Sequence, residues 1–335
     1  MQTKRIKILR FFTFLLVLFA SSHKSLSQTS VAVARNVIWE EKLNHQLSFY
    51  CDSMCEGRAT GTRGNTEAAF NIVREFENAK VLPFNGTYAK KFHISGGKIG
   101  RNIVGMIPGS NIIPSDKYII IGAHYDNLGT FEGNMYPGAD ANASGVVAMT
   151  SLAEMISAKK YLGRSYQYNF IFVAFDGNKH GLSGSKALWR LIEYGNLKDP
   201  ITGKRIRPEN IKLMVNLEQI GGTSATLASK REDYIIMLGK DSLPSHRRNR
   251  LSEINRFYNL GLEISYTYYG SDRFTKIFYT LSDQKIFIEN KIPSILFTSG
   301  ITMTTNKRTD LPRTINYEVL KKRIYLIFHW IENIL

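Results

Sequence analysis

The residues best equipped for chemistry fall in five short clusters, each beside an apolar run. His124, Tyr125 and Asp126 end "KYIIIGAHYD". Asp140 sits in "YPGADANASG". Asn178, Lys179 and His180 follow "FIFVAFDG". Glu218 ends "LMVNLE", and Asp283 and Gln284 lie in "LSDQ". A histidine with an aspartate two residues on can be a metal ligand whose second ring nitrogen is oriented by the carboxylate. The same pair also occurs as a strand-end cap beside a solvated acid. Glu218 after a buried strand needs a cation or donors, which a neighbouring lysine could supply. "FVAFDGNKHGLSGS" poses the opposite problem. It places an amide and an ammonium where hydrolytic chemistry needs carboxylates. His180 taken alone is an ordinary solvated loop residue.

These clusters need a scaffold that brings them to one edge. "KYIIIGAHYD", "QYNFIFVAFDG", "IKLMVNLEQIGG", "DYIIMLG" and "IPSILFTSG" read as buried strands. "ASGVVAMTSLAEMISAK", "GLSGSKALWRLIEYG", "SHRRNRLSEINRFYNLG" and "NYEVLKKRIYLIFHWIENIL" read as helices between or after them. Buried strands alternating with helices predict a mostly parallel sheet covered on both faces. In such sheets ligands bind beyond the C-terminal strand ends, where the clusters lie. Upstream, "NVIWEEKLNHQLSFYCDSM" and "TEAAFNIVREFENAK" have helical spacing, the latter with Phe70, Ile72 and Phe76 inward. "GTYAKKFHI", "GRNIVGMIP" and "LEISYTYY" read as further strands. No internal repeat or clear linker appears.

The first ten residues carry four cations, an apolar run "FFTFLLVLFA" follows, and small residues end it. This pattern predicts a secretory signal over residues 1–27 with cleavage at Ser27. The run is shorter than the ~20 residues of a membrane span. The expected location is exported, periplasmic or extracellular. The formal charge of +16 falls by five, to +11, when Lys4, Arg5, Lys7, Arg10 and Lys24 leave with the signal. The remaining cations are scattered. The densest run, "HRRNR" at 246–250, reads as a solvated helix face, so no nucleic-acid partner is expected. The two cysteines, Cys51 and Cys55, would lie about 6 Å apart on a helix, within disulfide range. Export slightly favours that bond over free thiols.

Taken in order, "EGRATGTRGN", "GAHYDNLGT", "YPGADANASGVVAM", "FVAFDGNKHGLSGSKAL", "MVNLEQIGG", "SDQKIFIENKIPSILFTSG" and "DLPRTINYE" resemble the co-catalytic zinc exopeptidases of the M28 type, which include secreted aminopeptidases. The resemblance covers nearly the whole mature chain. It implies an α/β three-layer sandwich with a mixed, mainly parallel sheet, the phosphorylase/hydrolase-like fold. It also implies an N-terminal extension over residues 28–95 packed on a main domain over 96–335.

The resemblance assigns roles position by position. His124 matches a zinc ligand, Asp126 the residue that orients it, and Glu218 a later ligand. The bridging carboxylate falls at Ala141, with Asp140 one residue early. The general base falls at Asn178, a further ligand at Lys179 and the last ligand at Asn306. Without these carboxylates the two-metal chemistry lacks both its base and its bridge. The leading expectation is a catalytically inactive homologue with no cofactor that binds a peptide or protein in the old cleft. Lys179 would stand in for zinc as a counter-ion to Glu218. The alternative is a metal-dependent aminopeptidase with a rebuilt mononuclear zinc centre on His124, Glu218, Asp140 and His180. A glutaminyl-cyclase-like acyl transferase ranks last, because its zinc ligands map to Ala141, Lys179 and Asn306.

Overall fold

The computed structural model describes residues 37–110, 112, 115–223 and 230–334. The expected signal over 1–27 lies outside them. Two helices open the chain, α1 (Glu40–Cys51) and α2 (Arg63–Asn78). Short strands β1 (Leu82–Pro83) and β2 (Ala89–His93) precede the long β3 (Ile99–Ile107). Then come β4 (Tyr118–His124), the hairpin β5 (Gly129–Phe131) and β6 (Asn134–Tyr136), and α3 (Ser144–Tyr161). β7 (Asn169–Phe175), α4 (Ser183–Glu193), β8 (Ile211–Leu217) and β9 (Tyr234–Leu238) follow. The chain ends with α5 (Arg250–Phe257), β10 (Glu263–Ser265), α6 (Asp272–Tyr279), α7 (Gln284–Glu289), β11 (Ser294–Thr298) and α8 (Tyr317–Ile334).

Nine strands form one sheet in the order β1-β3-β7-β4-β8-β11-β9-β10, with β2 also on β3. The central four, β7, β4, β8 and β11, are mutually parallel. β3 and β9 run antiparallel to their neighbours in this block. Every residue of β4 and β7 is buried, as their unbroken apolar runs require. The expected extension is built into the same body, since β2 pairs with β3 along its whole length. Among the described residues no helix is long and apolar enough to cross a membrane.

Three local expectations change. Phe70 of α2 points outward, at 66 % exposure, while Ile72 and Phe76 are buried. Phe70 lies two residues from Ile72, about 200° around a helix, so both cannot face the core. Cys51 and Cys55 are free buried thiols. The helix stops at Cys51 because Asp52 turns extended, so the four-residue helical spacing never forms. The helix expected from residue 245 is regular only from Arg250, after a separate turn at Ser245–Arg247.

A charged joint locks α8 to α3. The Glu332 carboxylate lies 3.7 Å from Lys159 Nζ and 3.5 Å from His329 Nδ1, and it accepts the Tyr166 hydroxyl at 3.2 Å. Burial raises the Glu332 pKa, but His329 and Lys159 outweigh it and hold the group below its usual 4.5. A depressed folded pKa contributes stability that is full above 4.5 and fades as pH falls through the folded value. Glu332→Gln is therefore expected to cost about 2 kcal/mol at pH 7 and progressively less below pH ~4.5. Paired thermal melts across that range check it; a difference that stays constant with pH would refute it.

Candidate functional site

The cleft lies at the C-terminal edge of β7, β4, β8 and β11. β4 ends in His124, which pairs with Phe175 at the end of β7, while Gly122 pairs with Asn216 of β8. His124 is fully buried. Its Nδ1 lies 3.0 Å from the Asp126 main-chain oxygen and 3.6 Å from Asp126 Oδ1. Its Nε2 lies 3.6 Å from Glu218 Oε1. At 3.6 Å the carboxylates act by charge rather than by hydrogen bonding. Burial disfavours the charged ring, but Asp126 and Glu218 outweigh it and push its pKa up to about 9. The imidazolium in turn overcomes burial and holds both carboxylates below their usual range.

Asp126 orients His124 through its carbonyl. Its carboxylate is used elsewhere, accepting the main-chain N–H groups of Asn178 and Lys179, each at 3.0 Å. The expected pairing of Lys179 with Glu218 does not occur. Among the described residues no carboxylate oxygen lies within 4.0 Å of the Lys179 ammonium. The reason is local: the Lys179 backbone is held by Asp126, and His124 already supplies the positive charge between Asp126 and Glu218.

The Asn178 side-chain amide donates to Asp283 Oδ2 at 3.0 Å. Asp283 is fully buried, and burial pushes its carboxyl up to about 6, with His124 opposing. Glu218 keeps 20 % side-chain exposure and lines the opening. Three buried atoms here have no hydrogen-bond partner: His124 Nε2, Glu218 Oε2 and Asp283 Oδ1.

Asp140 serves the frame. Its Oδ1 accepts Ser144 Oγ at 3.0 Å and the Gly221 N–H at 2.8 Å. Burial, then the nearby Asp310 carboxylate, raise its pKa to about 6. Asp310 accepts the N–H groups of Asp140 at 2.8 Å and of Ala141 at 3.0 Å. Ala141 is buried and offers only a methyl. The Asn142 amide bridges the Leu217 carbonyl at 2.9 Å and the Gln219 N–H at 2.9 Å. Gly145 lets the start of α3 close on β8, because a Cβ there would stand 2.5 Å from the Leu217 carbonyl. His180 is half-buried in the turn at Asn178–His180, and Asn306 is exposed in the loop after β11. Among the described residues no three of His, Cys, Asp and Glu come together as metal donors.

Sequence reasoning placed Asp283 near the site but gave it no partner. It missed Arg58. This fully buried guanidinium donates to the carbonyls of Tyr125 at 2.8 Å, Pro137 at 2.6 Å, Gly138 at 2.9 Å and Tyr50. It ties the His124 turn, the Asp140 turn and α1 together. The available signal was a lone cation inside the Gly-rich "EGRATGTRGN".

Known structures share this architecture. The LapA aminopeptidase of Legionella pneumophila superposes with a TM-score of 0.66 at 17 % identity, covering 91 % of this chain and 74 % of that one. A zinc aminopeptidase of Bacillus subtilis gives 0.51 at 17 % identity, over 71 % of this chain and 51 % of the other. The glutaminyl cyclase of Porphyromonas gingivalis gives 0.62 at 12 % identity, over 89 % and 99 %. In sequence, the uncharacterised protein YfbL of Escherichia coli K12 is 27 % identical over 175 residues, which span 49 % of this chain and 50 % of YfbL. The pattern of peptidase family M28 matches residues 102–331, and the chain belongs to that family.

Proposed function

We propose that this chain is an exported, non-catalytic member of its family whose cleft holds a peptide or protein segment. The observation that carries this reading is the donor set. The family's zinc ions need a bridging carboxylate, further ligands and a general base. The matching places hold a buried methyl at Ala141, the cation Lys179, the exposed Asn306 and, at the base, Asn178. His124 and Glu218 are occupied with each other. These residues do not fit a pair of zinc ions, and an asparagine amide cannot take a proton from water. The basic, apolar and small-residue order of residues 1–27 supports export.

The test uses the purified mature chain, with Gln28 as its expected first residue by mass spectrometry. Bound zinc is measured by emission spectrometry and turnover on aminoacyl-nitroanilides, with and without added zinc. The expected result is far less than one zinc per chain and no turnover above buffer. Stoichiometric zinc with turnover abolished by His124→Ala would instead establish the rebuilt mononuclear aminopeptidase.

A further inference from the structure

An apolar face borders the cleft and has no partner within the chain. α6 is short and amphipathic, yet none of its residues is buried. Phe274, Ile277 and Leu281 recur at the spacing of one helix face and are 50, 44 and 57 % exposed. A relay of contacts continues this face to the loop after β11. Phe278 stacks on Tyr268, and Tyr269 packs edge-on against Tyr268. The Tyr269 hydroxyl donates to the Ile301 carbonyl at 3.2 Å, and the Ile301 N–H donates to the Tyr268 hydroxyl at 2.6 Å. Ile301 and Met303 on that loop are exposed, Met303 at 78 %. Leu281 stands two residues from the buried Asp283, so the face runs to the cleft itself. Clustered exposure of this kind marks an interaction site, whereas single exposed apolar residues do not.

Charge identifies the occupant. The two segments carry exposed Arg273, Lys276, Lys307 and Arg308 against a single acid, Asp272. A symmetric dimer through this face would set cations against cations. An anionic membrane would satisfy the cations. It would offer nothing to Glu218 Oε2 and Asp283 Oδ1, which lack hydrogen-bond partners and need donors. A polypeptide offers all three: apolar side chains for the face, carboxylates for the cations and backbone N–H groups for the orphaned oxygens.

We propose that α6 and the loop after β11 form a docking face for an extended polypeptide segment of mixed apolar and acidic side chains, which enters the cleft over Asp283. This rests on the reading of the cleft as a binding site. It adds that recognition needs no free chain end.

The probe is a short fluorescent peptide of alternating leucine and glutamate, acetylated at its N-terminus and amidated at its C-terminus. Binding to the mature chain is followed by anisotropy. Ile277→Ser with Met303→Ser is expected to weaken binding about tenfold. Arg273→Glu with Lys276→Glu is expected to weaken it comparably and to flatten its salt dependence. All four positions are exposed, so circular dichroism should be unchanged in both variants. Three results overturn the proposal: no binding of the probe, binding indifferent to both variants, or capture of phosphatidylglycerol vesicles in its place. A concentration-dependent dimer lost on Ile277→Ser does so as well. A capped probe offers no terminal amine, so its binding reports on the face alone. Turnover of aminoacyl-nitroanilides would sink the non-catalytic reading and leave this result standing.

Discussion

Arg58→Met is expected to lower the stability of the chain by about 3–5 kcal/mol, among the largest losses that a single side chain can cause. The guanidinium has no exposure and donates to four main-chain carbonyls on three segments. Methionine matches the stem in length but donates nothing. The carbonyls of Tyr50, Tyr125, Pro137 and Gly138 would then lose a shared donor inside the protein, where each unpaired group costs about 1–3 kcal/mol. Partial relaxation and water entry keep the total below the simple sum. For a chain of this length the melting temperature should fall by on the order of 10 °C. Arg58→Lys should recover only part of it, because one ammonium cannot span carbonyls that a planar fork reaches. A shift under about 2 °C for the methionine variant would show that the guanidinium is incidental.

The second large effect is a gain. Ala141→Asp, Asn178→Glu, Lys179→Glu and Asn306→His together should create zinc affinity with a dissociation constant of micromolar or tighter, about 8 kcal/mol or more. The frame for these residues is present. The Ala141 N–H is fixed by Asp310, and the N–H groups of Asn178 and Lys179 are fixed by Asp126. The glutamate introduced at 178 would meet Asp283 where the asparagine now donates at 3.0 Å. The two carboxyl groups would share a proton there, as burial of Asp283 favours. Zinc at a hundred times its dissociation constant should then raise stability by about 2.7 kcal/mol, and His124→Ala should remove the gain. A quadruple variant that folds yet takes up no zinc in equilibrium dialysis would show that these four positions are not the family's ligand places.

Much of the architecture is legible in the residues. β4, β7, β8 and β11 announce themselves because a parallel strand covered on both faces must be apolar throughout. β9 was equally visible as a strand. Its antiparallel direction was not, because direction is set by the connection to β11 and leaves no mark on composition. α6 escaped notice although Ser271 caps it, accepting the Phe274 N–H at 3.3 Å. Its apolar stripe faces outward, so it did not read as a core helix. At the site, His124 and Glu218 stand out because charge after a buried strand demands a partner. That the partner of each is the other depends on the β4–β8 pairing, a long-range contact. Lys179 misled for a related reason: in a turn, the backbone can be the part that is held while the side chain goes unused. Arg58 and Asp310 were hidden because their partners are main-chain groups, which look alike at every residue.

The carboxylates of Asp126 and Asp310 grip peptide N–H groups at 178, 179, 140 and 141. Every amino acid except proline supplies that group identically. The curvature of these turns is therefore indifferent to which side chains they display, and mutational drift at 141, 178 and 179 could proceed without any penalty in shape. An ancestor could shed its reagents one at a time while each descendant kept the same outline, a route by which a hydrolase becomes a receptor without passing through an unfolded intermediate.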